Sequence, residues 1–183
     1  MLSNRDGAAA VLLPNHTVLI SGGNNDDGYL RSTELFNGEV WQEGPLLPYP
    51  VYAHCMLYIS GYVVMVGGYT DADGGATSAT YSYNLDTGLW SKKASMSIPR
   101  YLHACSVLDN EIWVGGTYDG DDTEMYNITT NQWLPGPPLP YQTSVPGEFV
   151  THGPLLFYMG GSGEKRIYQL NKEKNGWIFV SNY

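Results

Sequence analysis

Three groups of residues in this chain have the types and spacing that chemistry asks for. The first is Asp71-Ala72-Asp73-Gly74, which starts like a calcium-binding hand loop. Such a loop needs a bidentate Glu eleven residues after its first Asp, but that position is Ser82; counted from Asp119 it is Thr130. An EF-hand is excluded. The second group is His54-Cys55 and His103-Ala104-Cys105, residue types that bind zinc. Aligning Pro50-x-Tyr52-x-His54 with Pro99-x-Tyr101-x-His103 puts Cys55 one residue past its histidine and Cys105 two. In strands that offset points the thiols to opposite faces of equivalent strands, which weakens both a shared metal and a disulfide. Two free thiols in the core are expected. No nucleophile–base–acid grouping stands out, so no catalytic residue, metal or cofactor is expected.

The third group is acid interleaved with tyrosine. Asp26, Asp27, Asp71, Asp73, Asp119, Asp121 and Asp122 fall in polar segments that also hold Tyr29, Tyr69 and Tyr118; Arg100-Tyr101, Tyr49, Tyr52 and Tyr141 lie in or beside Pro-containing links. Tyrosine beside carboxylate on loops of a rigid scaffold suits docking of a basic or amphipathic segment of another protein. The partner-binding set expected is Asp26, Asp27, Tyr29, Asp71, Asp73, Arg100, Tyr101, Tyr118, Asp119, Asp121 and Asp122. The formal net charge of −9 argues against nucleic acid and anionic membranes, which need a basic face. The apolar run Ala8 to Leu13 is too short for a signal-peptide core, and no apolar stretch approaches a membrane span. A cytoplasmic setting follows by default. The sequons Asn15-His16-Thr17 and Asn127-Ile128-Thr129 keep an extracellular one open, although Asn84 matches Asn127 in what reads as ordinary turn chemistry.

Positioning these residues requires a repeat. Gly22-Gly23, Gly67-Gly68, Gly115-Gly116 and Gly160-Gly161 recur at spacings of 45, 48 and 45 residues, the mark of a repeated supersecondary unit. Each pair closes a run of strand-forming residues, Thr17 to Ile20, Tyr62 to Val66, Glu111 to Val114 and Leu155 to Met159. A turn and a further apolar strand precede each run. After the glycines come a polar loop, a third strand ending at Phe36, Tyr83, Tyr126 or Tyr168, a tight turn, and a fourth strand carrying Trp41, Trp90, Trp133 or Trp177. Tyr83-Asn84-Leu85-Asp86-Thr87-Gly88-Leu89-Trp90 matches Tyr126-Asn127-Ile128-Thr129-Thr130-Asn131-Gln132-Trp133 at four positions. The composition agrees: 15 tyrosines and 22 glycines with only 15% charged residues suit short strands and turns.

With these features the chain resembles the kelch-repeat family over nearly its whole length, through the Gly-Gly runs, the Tyr-x6-Trp spacing and the lead-in Pro99-Arg100-x-x-His103. The resemblance implies an all-β fold: a kelch-type β-propeller of four four-stranded antiparallel blades, at about residues 8–45, 51–97, 101–138 and 147–183. Blade one shortens the aromatic-to-Trp spacing, blade four lengthens it, and both lack the Pro-Arg-x-x-His lead-in. Family propellers generally have more blades, so these four are expected to belong to a larger or assembled ring, through self-association or blades of a longer chain. The implied function is a protein-interaction scaffold or adaptor with no chemistry of its own. The alternative is an enzyme of the galactose-oxidase-like or epimerase type, the former needing a Cys–Tyr pair at an axial site.

Overall fold

The computed structural model describes residues 1–71, 74–117, 120–142 and 146–182. All regular structure among them is β, in four four-stranded antiparallel sheets and two two-stranded ribbons. The chain forms two compact units, Met1–Tyr101 and Leu102–Tyr183.

In the first unit, blade 1 is β1 (Ala9–Leu12), β2 (Val18–Ser21), β5 (Thr33–Phe36) and β6 (Trp41–Glu43), in that spatial order. Ribbon β3 (Asn24–Asn25) with β4 (Gly28–Tyr29) fills the loop between β2 and β5. Blade 2 is β7 (Cys55–Ile59), β8 (Tyr62–Val66), β11 (Thr80–Asn84) and β12 (Leu89–Lys92), with ribbon β9 (Tyr69–Thr70) and β10 (Gly75–Ala76) in the equivalent loop. In the second unit, blade 3 is β13 (Ala104–Leu108), β14 (Glu111–Thr117), β15 (Gly120–Asn127) and β16 (Gln132–Pro135). Blade 4 is β17 (Glu148–His152), β18 (Leu155–Met159), β19 (Arg166–Leu170) and β20 (Trp177–Asn182).

Turn chemistry sets the registers. Asn37, Asn84 and Asn127 each accept two backbone N–H bonds on Oδ1, from residues two and three further on. That closes the turn between the third and fourth strands and places an aromatic opposite a tryptophan: Phe36↔Trp41, Tyr83↔Trp90 and Tyr126↔Trp133. Blade 4 differs from the expected alignment. Trp177 pairs with Leu170, and Tyr168 pairs with Phe179 past a bulge at Ile167/Tyr168. Leu170-Asn171 thus takes the place of Tyr83-Asn84 and restores the common spacing, so the lengthening inferred from Tyr168 is an artefact of choosing the wrong aromatic.

Each blade has two unlike apolar faces, and unlike faces meet. Blade 2 turns Met56, Val63, Met65, Tyr83 and Trp90 onto Leu13, Leu19, Leu47 and Val51 from blade 1 and its link. Blade 4 turns Phe149, Tyr158 and Trp177 onto Ala104, Trp113 and Leu139 from blade 3 and its link. Polar bonds seal both contacts. The Trp90 indole donates to the Leu46 carbonyl at 2.9 Å and the Trp177 indole to Pro137 at 3.4 Å. His54 Nε2 meets Ser21 Oγ at 2.9 Å, and Ser106 meets Thr151 at 2.6 Å. These indoles bridge neighbouring blades, with apolar area inside and a satisfied N–H at the edge.

The glycine pairs act at the same contacts. Gly23 N–H donates to the Val51 carbonyl and Gly68 N–H to the Arg100 carbonyl, at 2.9 and 2.7 Å. A Cβ on Gly22, which has φ +59°, would stand 2.4 Å from the Val51 oxygen. Close approach of the next lead-in requires glycine here.

Candidate functional site

The two ribbons carry the site. Each starts just after a Gly-Gly pair and is extended by the lead-in to a blade: Asp6 bridges Asn24, and Tyr52 bridges Tyr69. One residue further on, the lead-ins turn through left-handed backbone at Gly7, Ala53 and Leu102, with φ of 59°, 52° and 54°. This common geometry gathers loop and link residues at one end of the blades.

Four half-buried tyrosines meet there. Tyr29 stacks on Tyr52 with ring centres 4.9 Å apart and planes 23° off parallel. Tyr69 lies edge-on to Tyr29 at 6.0 Å and against Tyr52 at 5.5 Å. Tyr101 joins Tyr69 at 5.5 Å, also edge-on. Exposed carboxylates flank the cluster: Asp6, Asp26 and Asp27 on the blade 1 side, and Asp71 after β9. Their field reaches the phenols. Burial and then Asp71 push the Tyr29 pKa up. Burial, the neighbouring tyrosines and Asp6 do the same to Tyr52. The Tyr29 and Tyr52 phenols therefore stay neutral donors, and the four π faces and the carboxylates present one sign of potential, which attracts cations.

The other expected site residues fall elsewhere. Arg100 is completely buried, so its guanidinium is a core group and not part of a recognition surface. Asp121 and Asp122 open β15 in the second unit, where the Asp121 carbonyl accepts the Leu139 N–H at 2.7 Å. Asp73, Tyr118 and Asp119 lie outside the described residues. Of the link tyrosines, Tyr52 belongs to the cluster although it was not among the residues expected to bind a partner; its place two residues before His54, matching Tyr101, was the signal. Tyr141 is inside the second unit. It donates to the Gly160 carbonyl at 2.8 Å, and the Arg166 guanidinium covers its ring at 5.2 Å and that of Tyr168 at 5.9 Å. Glu164 holds Arg166 in place, and this hydrogen bond lowers the Glu164 pKa to about 2.

The cysteines correct an expectation. Neither is a free thiol; both Cys55 and Cys105 are disulfide-bonded. Counting from the histidines says which face of its own strand each thiol takes, and that does not decide whether its sulfur is bonded. Disulfide sulfurs are also not available for the Cys–Tyr pair that an oxidase-type site needs.

Four-stranded antiparallel sheets with unlike faces, joined within each unit through Gly-Gly pairs and outer indoles, define a β-propeller repeat protein. No protein-family model matches the chain. Beta-scruin of Limulus polyphemus is 30% identical over 90% of this chain and 19% of its own length. Kelch domain-containing protein 10 of Rattus norvegicus is 26% identical over 68% of the chain and 35% of itself. Kelch repeat and BTB domain-containing protein 12 of Danio rerio is 25% identical, over 97% and 34%. The chain thus spans about a third or less of these relatives' lengths. The solved structure of YjhT superimposes with a TM-score of 0.81 at 15% identity, covering 100% of this chain and 67% of that one. The chain is a kelch-repeat β-propeller. Among the described residues no helix is long and apolar enough to cross a membrane.

Proposed function

We propose that this chain is a protein-interaction module whose first unit docks a basic segment of a partner on Tyr29, Tyr52, Tyr69 and Tyr101, rimmed by Asp6, Asp26, Asp27 and Asp71. The tyrosine cluster carries the reading. Four half-exposed rings in contact, with carboxylate neighbours, offer π faces and charge together. The chain uses the same chemistry internally, where Arg166 lies over Tyr141 and Tyr168. Kelch-repeat relatives give the interaction role its setting. Acid and tyrosine supply steering and contact respectively; steering weakens with salt, and ring contact less so. The disulfide-bonded cysteines favour an oxidising compartment over the cytoplasm in this reading.

The test is binding of a fluorescein-labelled Arg/Lys-rich peptide, read by anisotropy beside an acidic peptide of equal length. Tyr69 touches three of the rings, so Tyr69→Ala is expected to weaken basic-peptide binding roughly ten-fold, about 1.4 kcal/mol. Asp71→Asn is expected to reduce the affinity mainly at low salt. Equal binding of both peptides, or of wild type and Tyr69→Ala, refutes the assignment.

A further inference from the structure

We infer that Asn15 and Asn127 are glycosylated, each carrying an N-linked glycan on its side-chain nitrogen. In the sequence, Asn-x-Ser/Thr with x other than proline occurs at these two asparagines, as Asn15-His16-Thr17 and Asn127-Ile128-Thr129. A used acceptor sits on a surface loop of a chain that passes an oxidising compartment. Both conditions are met here. Each asparagine lies in a hairpin turn between sequential strands of a blade, β1 to β2 for Asn15 and β15 to β16 for Asn127. Asn15 and His16 are exposed; Asn127 is half-buried, with Thr129 and Thr130 exposed beside it. In blade 1 the turn is at the end opposite the ribbon, so the four residues of β2 hold Asn15 about 13 Å from the tyrosine cluster's end. Both cysteines are disulfide-bonded, and disulfides persist in oxidising compartments, the setting of this modification.

Turn chemistry and glycosylation use opposite ends of the same carboxamide. Asn15 Oδ1 accepts the Thr17 N–H at 3.2 Å, and Asn127 Oδ1 accepts the Thr129 and Thr130 N–H groups, each at 3.0 Å. Backbone N–H groups only donate, so the atom that faces them is the oxygen and Nδ2 is turned away from the turn. An Nδ2 that carries sugar keeps the oxygen and one N–H, so the bonds that close the turn survive the modification. The turn itself makes no demand for the hydroxyl. Asn37 and Asn84 make the same pair of bonds with Glu39 and Asp86 two residues on, where Thr129 stands in blade 3. Thr129 completes the acceptor pattern instead.

At Asn15 the order of events is set by burial. Thr17 is only 8% exposed, so transfer there precedes the closing of blade 1, while its hydroxyl can still be read. The donor class is an oligosaccharide carried on a lipid diphosphate. Nδ2 forms a bond to the anomeric carbon, the bond from that carbon to the diphosphate oxygen breaks with its electron pair on oxygen, and one Nδ2 proton leaves to a base. The step is redox-neutral.

Protein from its native source, digested with an amidase that releases N-glycans in heavy-oxygen water, tests this by peptide mass spectrometry. Peptides bearing hexose are expected at Asn15 and Asn127 before treatment, and heavy-labelled aspartate at both positions after it. Asn37 and Asn84 are the internal controls, since they make the same turn without the acceptor pattern. Full-length Thr129→Val, expressed in secretory cells of the source, keeps the Asn127 oxygen and is expected to lose that glycan completely with an unchanged urea midpoint. Bare asparagine at 15 and 127 in the native protein overturns the inference, and at one of them overturns that position. Equal labelling at Asn84 marks plain deamidation and overturns it as well, and sugar retained on Thr129→Val removes Asn127 as an acceptor.

Discussion

The buried pair of Arg5 and Glu34 is the sharpest place to perturb this fold. Both side chains are almost fully enclosed, at 1% and 2% exposure. Arg5 Nε donates to Glu34 Oε1 at 3.0 Å. Its two terminal nitrogens donate to the Gly22 and Ser32 carbonyls and to Ser32 Oγ, at 2.8 to 2.9 Å. Glu34 also accepts the Leu2 and Ser3 backbone N–H groups. Burial alone would raise the Glu34 pKa, but these bonds outweigh it and the net direction is down. Arg5→Met removes the counter-charge and strands three further acceptors. Breaking a buried pair from one side costs about 3–5 kcal/mol, against a typical domain stability of about 5–15 kcal/mol. At a urea slope of about 2 kcal/mol per molar, the midpoint should fall by roughly 2 M. Glu34→Met should cost a comparable amount. The double variant should recover much of the loss, because no lone charge is then buried. Urea unfolding at micromolar concentration, followed by tryptophan fluorescence, measures all four corners of the cycle. A loss under about 1 kcal/mol for Arg5→Met, or a double variant whose loss equals the sum of the singles, refutes the claim that this pair acts as a unit.

Acid should weaken the contact between blades 1 and 2 through His54. Burial lowers its pKa from 6.5 to about 4 in the folded chain, so unfolding takes up a proton between those values. Stability is full above about pH 6.5 and falls as pH drops towards 4, by roughly 3 kcal/mol in total from this group. His54→Gln should flatten that part of the urea-midpoint profile, and an unchanged profile would remove His54 as the cause. For the compartment, thiol titration of denatured, unreduced protein from its native source should find no reactive cysteine; two free thiols per chain would return the protein to a reducing setting.

Much of this architecture was legible in the chain because the repeat constrains backbone locally. A Gly-Gly pair marks where left-handed backbone and close approach are needed, and Asn at the turn fixes which residues sit opposite each other. Both are sequence-local, so the blades and their strand order followed. Blade 4 departs from the expected alignment for a local reason too: Leu170 stands opposite Trp177 where blades 2 and 3 have a tyrosine, and Tyr168 lies two residues before it. The candidate site was legible only in kind. Acid and tyrosine on loops pointed to a surface, but composition put Arg100 with them, although its side chain is wholly enclosed.

Sequence by itself determined the unit of structure here: four strands, their turns, and a tryptophan on each fourth strand. Which tyrosines meet, where Arg5 finds its partners, and that the cysteines are bonded were decided only by tertiary packing. Period and turn chemistry act over a few residues, whereas the tyrosine and Arg5 pairings join positions 17 to 40 residues apart, whose proximity depends on how one sheet seats on the next.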